Sequence, residues 1–579
     1  MLNNLAFIFD KQDKKKFFIL FLLILLLTIL DVLSIASLIP FLSVLSNDEL
    51  FSNKFVILIF ETFNFIDKSN FKKITILLII FTYSVKFFFT LIIIFKKNRI
   101  LYDFYTKISN KLMGIYLNTS YSNSIKTKLY QKINTLSGEV ENFVSTLIDA
   151  IVIIILELLT ITLIVIFLFY MYPRETLFIG IFLIFFCPLL VYFYQKKMKF
   201  LANDRLGHFN NLQKKILEGL NGFRDIKINN KETFFLSSFN KSVNSVSESL
   251  YKISNIMQTP RYLIETISIC VLLIVMLINL DIFENNSNNI IFLGIFAGAA
   301  LRLLPSINKL VVYTNNIKYA VPILNQISAD IKNNLPEQIQ KNERNIFLDN
   351  KKIKFNNVYF DYNENKNKDD FILQDINFEI NNQEFIGIFG DTGSGKSTLI
   401  DILSGLLKPS LGTVFSDSKN INDAVHSWRN NVGYVSQFPY LLNDTIEKNI
   451  AFGYNQENIN KNALKIAMKN AVIYDFINNL PLKEKTIVGE NGKSLSGGQI
   501  QRIGIARALY KDPSILIFDE STNSLDMNTE KEFMDVLRKL KNDRTIIFVT
   551  HKLELLNHCD KVFQTINNSL KKVDIKNLS

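Results

Sequence analysis

Cysteine is nearly absent from this 579-residue chain. The three that occur, Cys187, Cys270 and Cys559, are far apart, which excludes a disulfide framework and any cysteine-based metal spacing. Negative charge is also in deficit: 53 Asp and Glu against 65 Lys and Arg leave a formal net charge of +12. Such a balance suits a nucleic-acid binder, but here the excess sits largely between apolar runs and so points to a membrane surface. The first apolar run lacks a small-residue cleavage site after it and is too long for a signal-peptide core, so it reads as a retained span.

What is present is apolar and unevenly spread. Hydrophobic residues make up 48% of the chain and crowd into its first half, while the rest has the composition of an ordinary α/β protein. Six runs are long enough to cross a hydrocarbon core of about 30 Å as helices. They fall at 17–45, 74–95, 144–172, 176–194, 262–280 and 289–312. A shorter apolar stretch, Phe55–Phe60, with Phe51, Phe63 and Phe65 around it, predicts a helix lying on the outer surface near 50–66.

Basic residues orient the spans. The connections 96–143 and 195–258 carry 8 and 11 Lys and Arg, whereas the loop after span three carries only Arg174 and the loop after span five none. The two long basic loops therefore face the cytoplasm, as do both termini; the four lysines of 46–73 weaken the bias there. Patchy helical periodicity in the two loops predicts spans that continue beyond the membrane and turn back near Asn118–Ser124 and Asn221–Asn229.

Asp31, Lys86, Asp149, Glu157, Glu265 and Arg302 interrupt the spans, with Arg261 at the start of the fifth. Each costs at least about 2–3 kcal/mol against lipid and so belongs inside the bundle. Lys86, Arg261 and Arg302, on three spans, are expected either to line one cavity for an anionic group or to pair locally, as Arg261 can with Glu265 one turn away. Pro305 is expected to kink span six.

The stretch 329–352 is polar and reads as a linker or short connecting helix. Beyond it the buried-strand run Phe385–Phe389 leads directly into Gly390, Asp391, Thr392, Gly393, Ser394, Gly395, Lys396, Ser397 and Thr398, and a helical pattern follows. This is a phosphate-binding loop in its strand–loop–helix setting: glycines let backbone N–H groups approach phosphates, Lys396 adds a charge, and the Ser397 hydroxyl suits Mg²⁺. A second apolar strand ends at Asp519, suited to hold Mg²⁺, with Glu520 next to polarise a water. Between these lies Leu495-Ser496-Gly497-Gly498-Gln499.

That pentapeptide is the signature of the ABC ATPases, and the chain from Ile353 onward resembles that family. The resemblance implies ATP and Mg²⁺ as cofactors, Gln437 as the glutamine-loop residue reaching Mg²⁺, Asp526 in the D-loop, His551 as the switch histidine and Tyr362 stacked on adenine. Val488–Gly492 matches the short exporter-type segment before the signature. It further implies that Ser496, Gly497, Gly498 and Gln499 close over ATP held by another copy, so the chain is expected to work as a homodimer with Glu520, His551 and Gln437 catalytic. The expected fold is an all-α six-helix transmembrane domain (1–328), type I ABC exporter-like, followed by an α/β P-loop ABC nucleotide-binding domain (353–579).

Six spans ahead of one ATPase domain is the layout of ABC exporters. No peptidase-like domain precedes span one, which argues against export of leader-bearing peptides, and the spans argue against the soluble ABC proteins of translation or repair. Within the exporters the chain is similar to PglK-type flippases through Thr259-Pro260-Arg261, Ala300–Ser306 and the outer amphipathic segment. That similarity implies a lipid-linked oligosaccharide as cargo in a bacterial inner membrane, no nucleic acid as partner, and Lys86, Arg261 and Arg302 facing a pyrophosphate. Lys86 keeps the charge but not the guanidinium fork. The other readings are a general exporter of lipid or drug-like amphiphiles, and an ATP-gated channel or sensor; an intact Glu520 weighs against the last.

Overall fold

The computed structural model describes residues 10–40, 68–278, 288–333, 352–362 and 371–574. The expected outer helix near 50–66, the ends of spans one and five (41–45 and 279–280) and most of the expected linker (334–351) lie outside these residues. The chain divides into two compact units. One comprises Met1–Asn118 and Thr127–Leu335, the other Thr119–Lys126 and Pro336–Ser579.

The first unit is helical. Its long helices are α1 (Lys11–Ala36), α2 (Lys68–Asn118), α4 (Leu129–Met171), α5 (Pro173–Asn221), α7 (Glu232–Ile278) and α8 (Asn288–Asn333). At 1.5 Å per residue, the 51 residues of α2 extend far beyond a hydrocarbon core. The short helix α6 (Phe223–Ile228) of this unit, and α3 (Tyr121–Lys126), which belongs to the other, stand where the two turning segments were predicted. Among the described residues four helices are apolar and long enough to span: Lys11–Pro40, Lys73–Asn118, Leu129–Met171 and Gly294–Lys332. The other two predicted spans, 176–194 and 262–280, fall on α5 and α7.

Packing explains where these helices run. On α1 the buried residues are Leu20, Ile24, Leu27, Thr28, Asp31, Ser34 and Ile35, a stripe at three- and four-residue spacing that faces the bundle. Gly298 of α8 gives room to the turn that follows α1: a Cβ there would lie 3.0 Å from the Leu38 side chain. The helix α8 continues to Asn333, into the stretch read as linker, because Ile323, Leu324 and Ile327 are buried and Ile331 packs on the same cluster. Two π-helical segments, Thr135–Glu139 and Val144–Ile148, interrupt α4 and re-aim its side chains. The first turns Glu139 inward, where both carboxylate oxygens accept from Arg205 of α5 at 3.0 Å.

The second unit carries two sheets. Strands β1 (Lys352–Phe360), β2 (Leu373–Asn381), β4 (Leu411–Ser416) and β5 (Lys419–Asn420) form an antiparallel sheet ordered β2-β1-β4-β5. The other sheet is ordered β10-β9-β3-β8-β7-β6, with β3 (Phe385–Gly390), β6 (Val432–Val435), β7 (Ile515–Asp519), β8 (Thr545–Val549), β9 (Lys561–Ile566) and β10 (Ser569–Val573). All pairings from β9 to β6 are parallel. The central strands β7 and β8 are buried at every position, as their unbroken apolar runs require of a sheet covered on both faces. Parallel order has a functional consequence, since the carboxyl ends of β6, β7, β8 and β3 all open on one side.

Candidate functional site

The loop after β3 is shaped by glycine. Gly395 has φ +90°, and a Cβ on it would stand 2.8 Å from Leu373; Gly390 has φ +155° and would meet the Thr565 hydroxyl at 2.1 Å. The loop then enters α9 (Lys396–Leu403). Lys396 donates from Nζ to the carbonyls of Gly390 and Asp391 at 2.7 and 2.8 Å, which centres its ammonium inside the loop. Burial lowers its pKa, opposed by the nearby carboxylates of Glu520, Asp391 and Asp519. Asp391, Thr392, Gly393 and Ser397 are exposed, while Ser394 is tied at Oγ to Thr565 at 2.5 Å. Tyr362 packs edge-on against Phe360 and brings its hydroxyl 3.5 Å from buried Thr398.

Strand order gathers the other predicted residues. Asp519 closes β7, Gln437 follows β6 and His551 follows β8. Glu520 stands between the last two: Gln437 donates from Nε2 to its Oε2 at 2.8 Å, and His551 Nε2 lies 2.8 Å from its Oε1. Asn523, which sequence reasoning missed, donates to the same Oε2 at 3.1 Å. Glu520 adopts φ +48°, an uncommon backbone for a residue with a Cβ, which aims its carboxylate out of the strand line. Its amide donates to Val549 and its carbonyl accepts from Gln501, so the conformation is held from both sides.

Asp519 is buried, and burial raises its pKa, against a hydrogen bond that Tyr434 donates to Oδ2 at 3.2 Å. Asp401 on α9, also buried in large part and close to the Asp519 charge, is raised to about 6. Tyr121 of α3 lies in the same field: burial first, then the Asp401 charge, raises its hydroxyl. Ser397, Asp519 and Gln437, whose Oε1 remains free of the Glu520 bond, present only hydroxyl, carboxylate and amide oxygens. That donor set fits Mg²⁺ and leaves most of the coordination to phosphates and water. Among the described residues no group of three or more His, Cys, Asp and Glu forms a closed metal cage.

The signature opens α10 (Gly497–Tyr510). Ser496 caps it, its Oγ accepting from the Gln499 amide while Gln499 Oε1 accepts from the Ser496 amide, a reciprocal capping box. Gly498 is small for a reason: a Cβ would lie 2.9 Å from the Ser524 carbonyl. Gln501 accepts from the Ser524 amide at 3.1 Å, joining signature and D-loop segments, although no motif marks it in the sequence. Asp526 caps α11 (Met527–Leu540) by accepting from Thr529, and that bond lowers its pKa.

In the helical unit the three predicted cations do not all meet. Lys86 Nζ and Arg302 Nη2 each lie 2.7 Å from Asp31, on different oxygens, and join α2 and α8 to α1. Arg261 instead pairs with Glu265 one turn along α7 at 2.7 Å and is exposed, since an i,i+4 partner on its own face is nearer than any other. The local alternative thus describes Arg261, and convergence describes the other two. Lys309 was missed: it lies seven residues after Arg302, on the same face of α8, and holds buried Glu157 at 2.7 Å. Lys97 holds Asp149 at 2.6 Å.

Comparison with known proteins agrees with both halves. The family model described as ABC transporter transmembrane region matches residues 17–296, and that described as ABC transporter matches 373–523. An ATP-dependent lipid A-core flippase of Burkholderia thailandensis is 26% identical over 472 residues, covering 80% of this chain and 76% of its own. The ABC-type transporter MDR1 of Aureobasidium melanogenum is 38% identical over 212 residues, 36% of this chain and 16% of its own. The structure of a bacterial Atm1-family ABC exporter with ATP bound superposes with a TM-score of 0.82 at 20% identity, covering 96% of this chain and 95% of that one. It matches in fold, a helical membrane domain followed by an α/β nucleotide-binding domain. Membrane region and ATPase, each matched in its own half of one polypeptide, make this chain a member of the ABC exporters: a multi-pass half-transporter that binds ATP and couples its hydrolysis to transport.

Proposed function

We propose that two copies of this chain form a homodimer that flips a polyprenyl-pyrophosphate-linked oligosaccharide from the cytoplasmic to the outer leaflet of a bacterial inner membrane, both termini being cytoplasmic. The observation that carries this reading is the meeting of Lys86 and Arg302 from two helices inside the membrane unit, each still 23% exposed. Two cations side by side suit a phosphate-bearing headgroup, and the one carboxylate they share leaves a positive surplus. Lipid flippases among the relatives support a lipid cargo.

In the ATPase, Lys396 and the backbone of 390–398 hold the phosphates of ATP, and Tyr362 takes the adenine. Mg²⁺ held by Ser397, Asp519 and Gln437 would offset phosphate charge. Glu520 takes a proton from the water that attacks the γ-phosphate, while His551 and Gln437 fix the carboxylate in place. Ser496 to Gln499 of the second copy, with its Asp526, complete each site, so hydrolysis requires pairing. Pairing on ATP and separation after hydrolysis then drive the spans between inward and outward access.

The decisive experiment is flipping of a labelled polyprenyl-pyrophosphate oligosaccharide in proteoliposomes. Wild type should flip with ATP, and Glu520→Gln and Arg302→Ala should not. Hydrolysis without flipping would overturn the cargo. It would favour the second reading, a general exporter of lipid or drug-like amphiphiles, for which the diversity of the named relatives speaks.

A further inference from the structure

The Lys86–Asp31–Arg302 group has an inside and an outside. Asp31 is 1% exposed at the back, on the bundle-facing stripe of α1, while Lys86 and Arg302 are each 23% exposed in front. Both carboxylate oxygens face a cation: Arg302 takes Oδ2 through Nη2 at 2.7 Å and Nε at 3.2 Å, and Lys86 Nζ lies 2.7 Å from Oδ1 as an ion pair without hydrogen-bond geometry. The cations are not used up. No bond to Asp31 is made by Nη1 of Arg302, and Lys86 Nζ donates instead to Ser34 Oγ at 3.5 Å. Among the described residues no second carboxylate lies within ion-pair distance of either cation.

Two cations against one carboxylate leave a net charge of +1. A pyrophosphate diester carries two negative charges, so this group attracts it without neutralising it. For a transporter that is an advantage, because a site must bind well enough to load and weakly enough to release. A buried acid that only held helices together would require neither the surplus cation nor its exposure.

We propose that Asp31 is the affinity-setting counter-ion of an anion site formed by Lys86 and Arg302, keeping the hold on a doubly charged phosphate headgroup weak enough for turnover. The proposal rests on the lipid-pyrophosphate reading for its cargo, but it concerns a residue that reading does not use. Its consequence is opposite in sign for binding and for transport. Removing the Asp31 charge raises the net charge to +2, matching the headgroup, so binding tightens while release slows.

The test uses the full-length chain in nanodiscs, with binding of farnesyl pyrophosphate, farnesyl monophosphate and inorganic pyrophosphate measured without ATP, and flipping measured in proteoliposomes. Asp31→Asn should bind farnesyl pyrophosphate at least roughly tenfold tighter than wild type, gain less for the monophosphate, and flip more slowly. The double variant Asp31→Asn/Lys86→Gln, back at +1, should return binding toward wild type. Unchanged or weaker binding by Asp31→Asn, with the double variant no different, would show a structural pair and overturn the proposal. Should Asp31→Asn not fold, Lys86→Gln alone decides: it leaves a neutral pair and should lose at least roughly tenfold in pyrophosphate affinity, and no loss overturns the proposal. Wild type that binds and flips no lipid pyrophosphate sinks the cargo reading only. The inorganic pyrophosphate arm then still rules on Asp31, by a gain in Asp31→Asn or by none.

Discussion

Glu520 and His551, thirty-one residues apart in the sequence, meet at 2.8 Å because β7 and β8 are parallel neighbours whose carboxyl ends lie side by side. Gln437 arrives from β6 on the other flank and takes the second carboxylate oxygen. Glu520→Gln should therefore keep ATP binding and lower phosphate release by about 100-fold or more, the usual span for a lost general base. His551→Ala leaves the carboxylate and loses only one of its anchors, so it should fall by a smaller factor. Steady-state phosphate release alongside nucleotide binding separates the two effects.

Gln501 is 2% exposed and bonds the Ser524 amide and the Glu520 carbonyl at once. Gln501→Leu would strand both groups and should cost about 1–3 kcal/mol of ATPase-domain stability. Hydrolysis should fall further than nucleotide binding, because signature and D-loop lose their common tie while the phosphate loop stays intact. Thermal unfolding and nucleotide titration of the full chain check both halves of this expectation.

Glu139 and Arg205 form a bidentate pair with side chains 1% and 4% exposed, and the Arg205 guanidinium also stacks on Phe209 and Tyr319 at 4.7 and 5.1 Å. Removing one partner leaves a buried charge, so Glu139→Gln or Arg205→Met should destabilise by about 3–5 kcal/mol. The double variant Glu139→Leu/Arg205→Met should recover most of that. Unfolding midpoints in detergent, compared as a double-mutant cycle, measure the coupling.

Asp401 has a pKa of about 6, raised by burial and then by the Asp519 charge. The folded state thus holds this proton more tightly than the unfolded chain, so the stabilisation it gives at low pH is lost as pH rises through about 6. Asp401→Asn should raise the melting temperature at pH 7.5 and leave it unchanged at pH 4. A melting temperature that rises equally at both values would refute the assignment.

The sequence by itself determined what is local. Hydropathy sums over neighbours along the chain, so the apolar runs, the two turning segments and the basic loops were legible without coordinates. The phosphate loop was legible because close backbone approach demands glycine at set offsets within one turn, and the signature because its five consecutive residues resemble those of the ABC ATPases. Even the Arg261–Glu265 pair could be read, since it lies one helical turn apart.

Only the tertiary structure decided which distant groups meet. Arg302 finds Asp31 across 271 residues, because α1 and α8 pack side by side. Glu139 faces Arg205 because a π-helical segment turns it inward, which no hydrophobic period encodes. Gln501 reaches Ser524 through the packing of α10 beneath the D-loop segment. Periodicity along a chain records which face is buried. Which charge lies opposite depends on how helices and strands are rotated and spaced, and that is settled by packing.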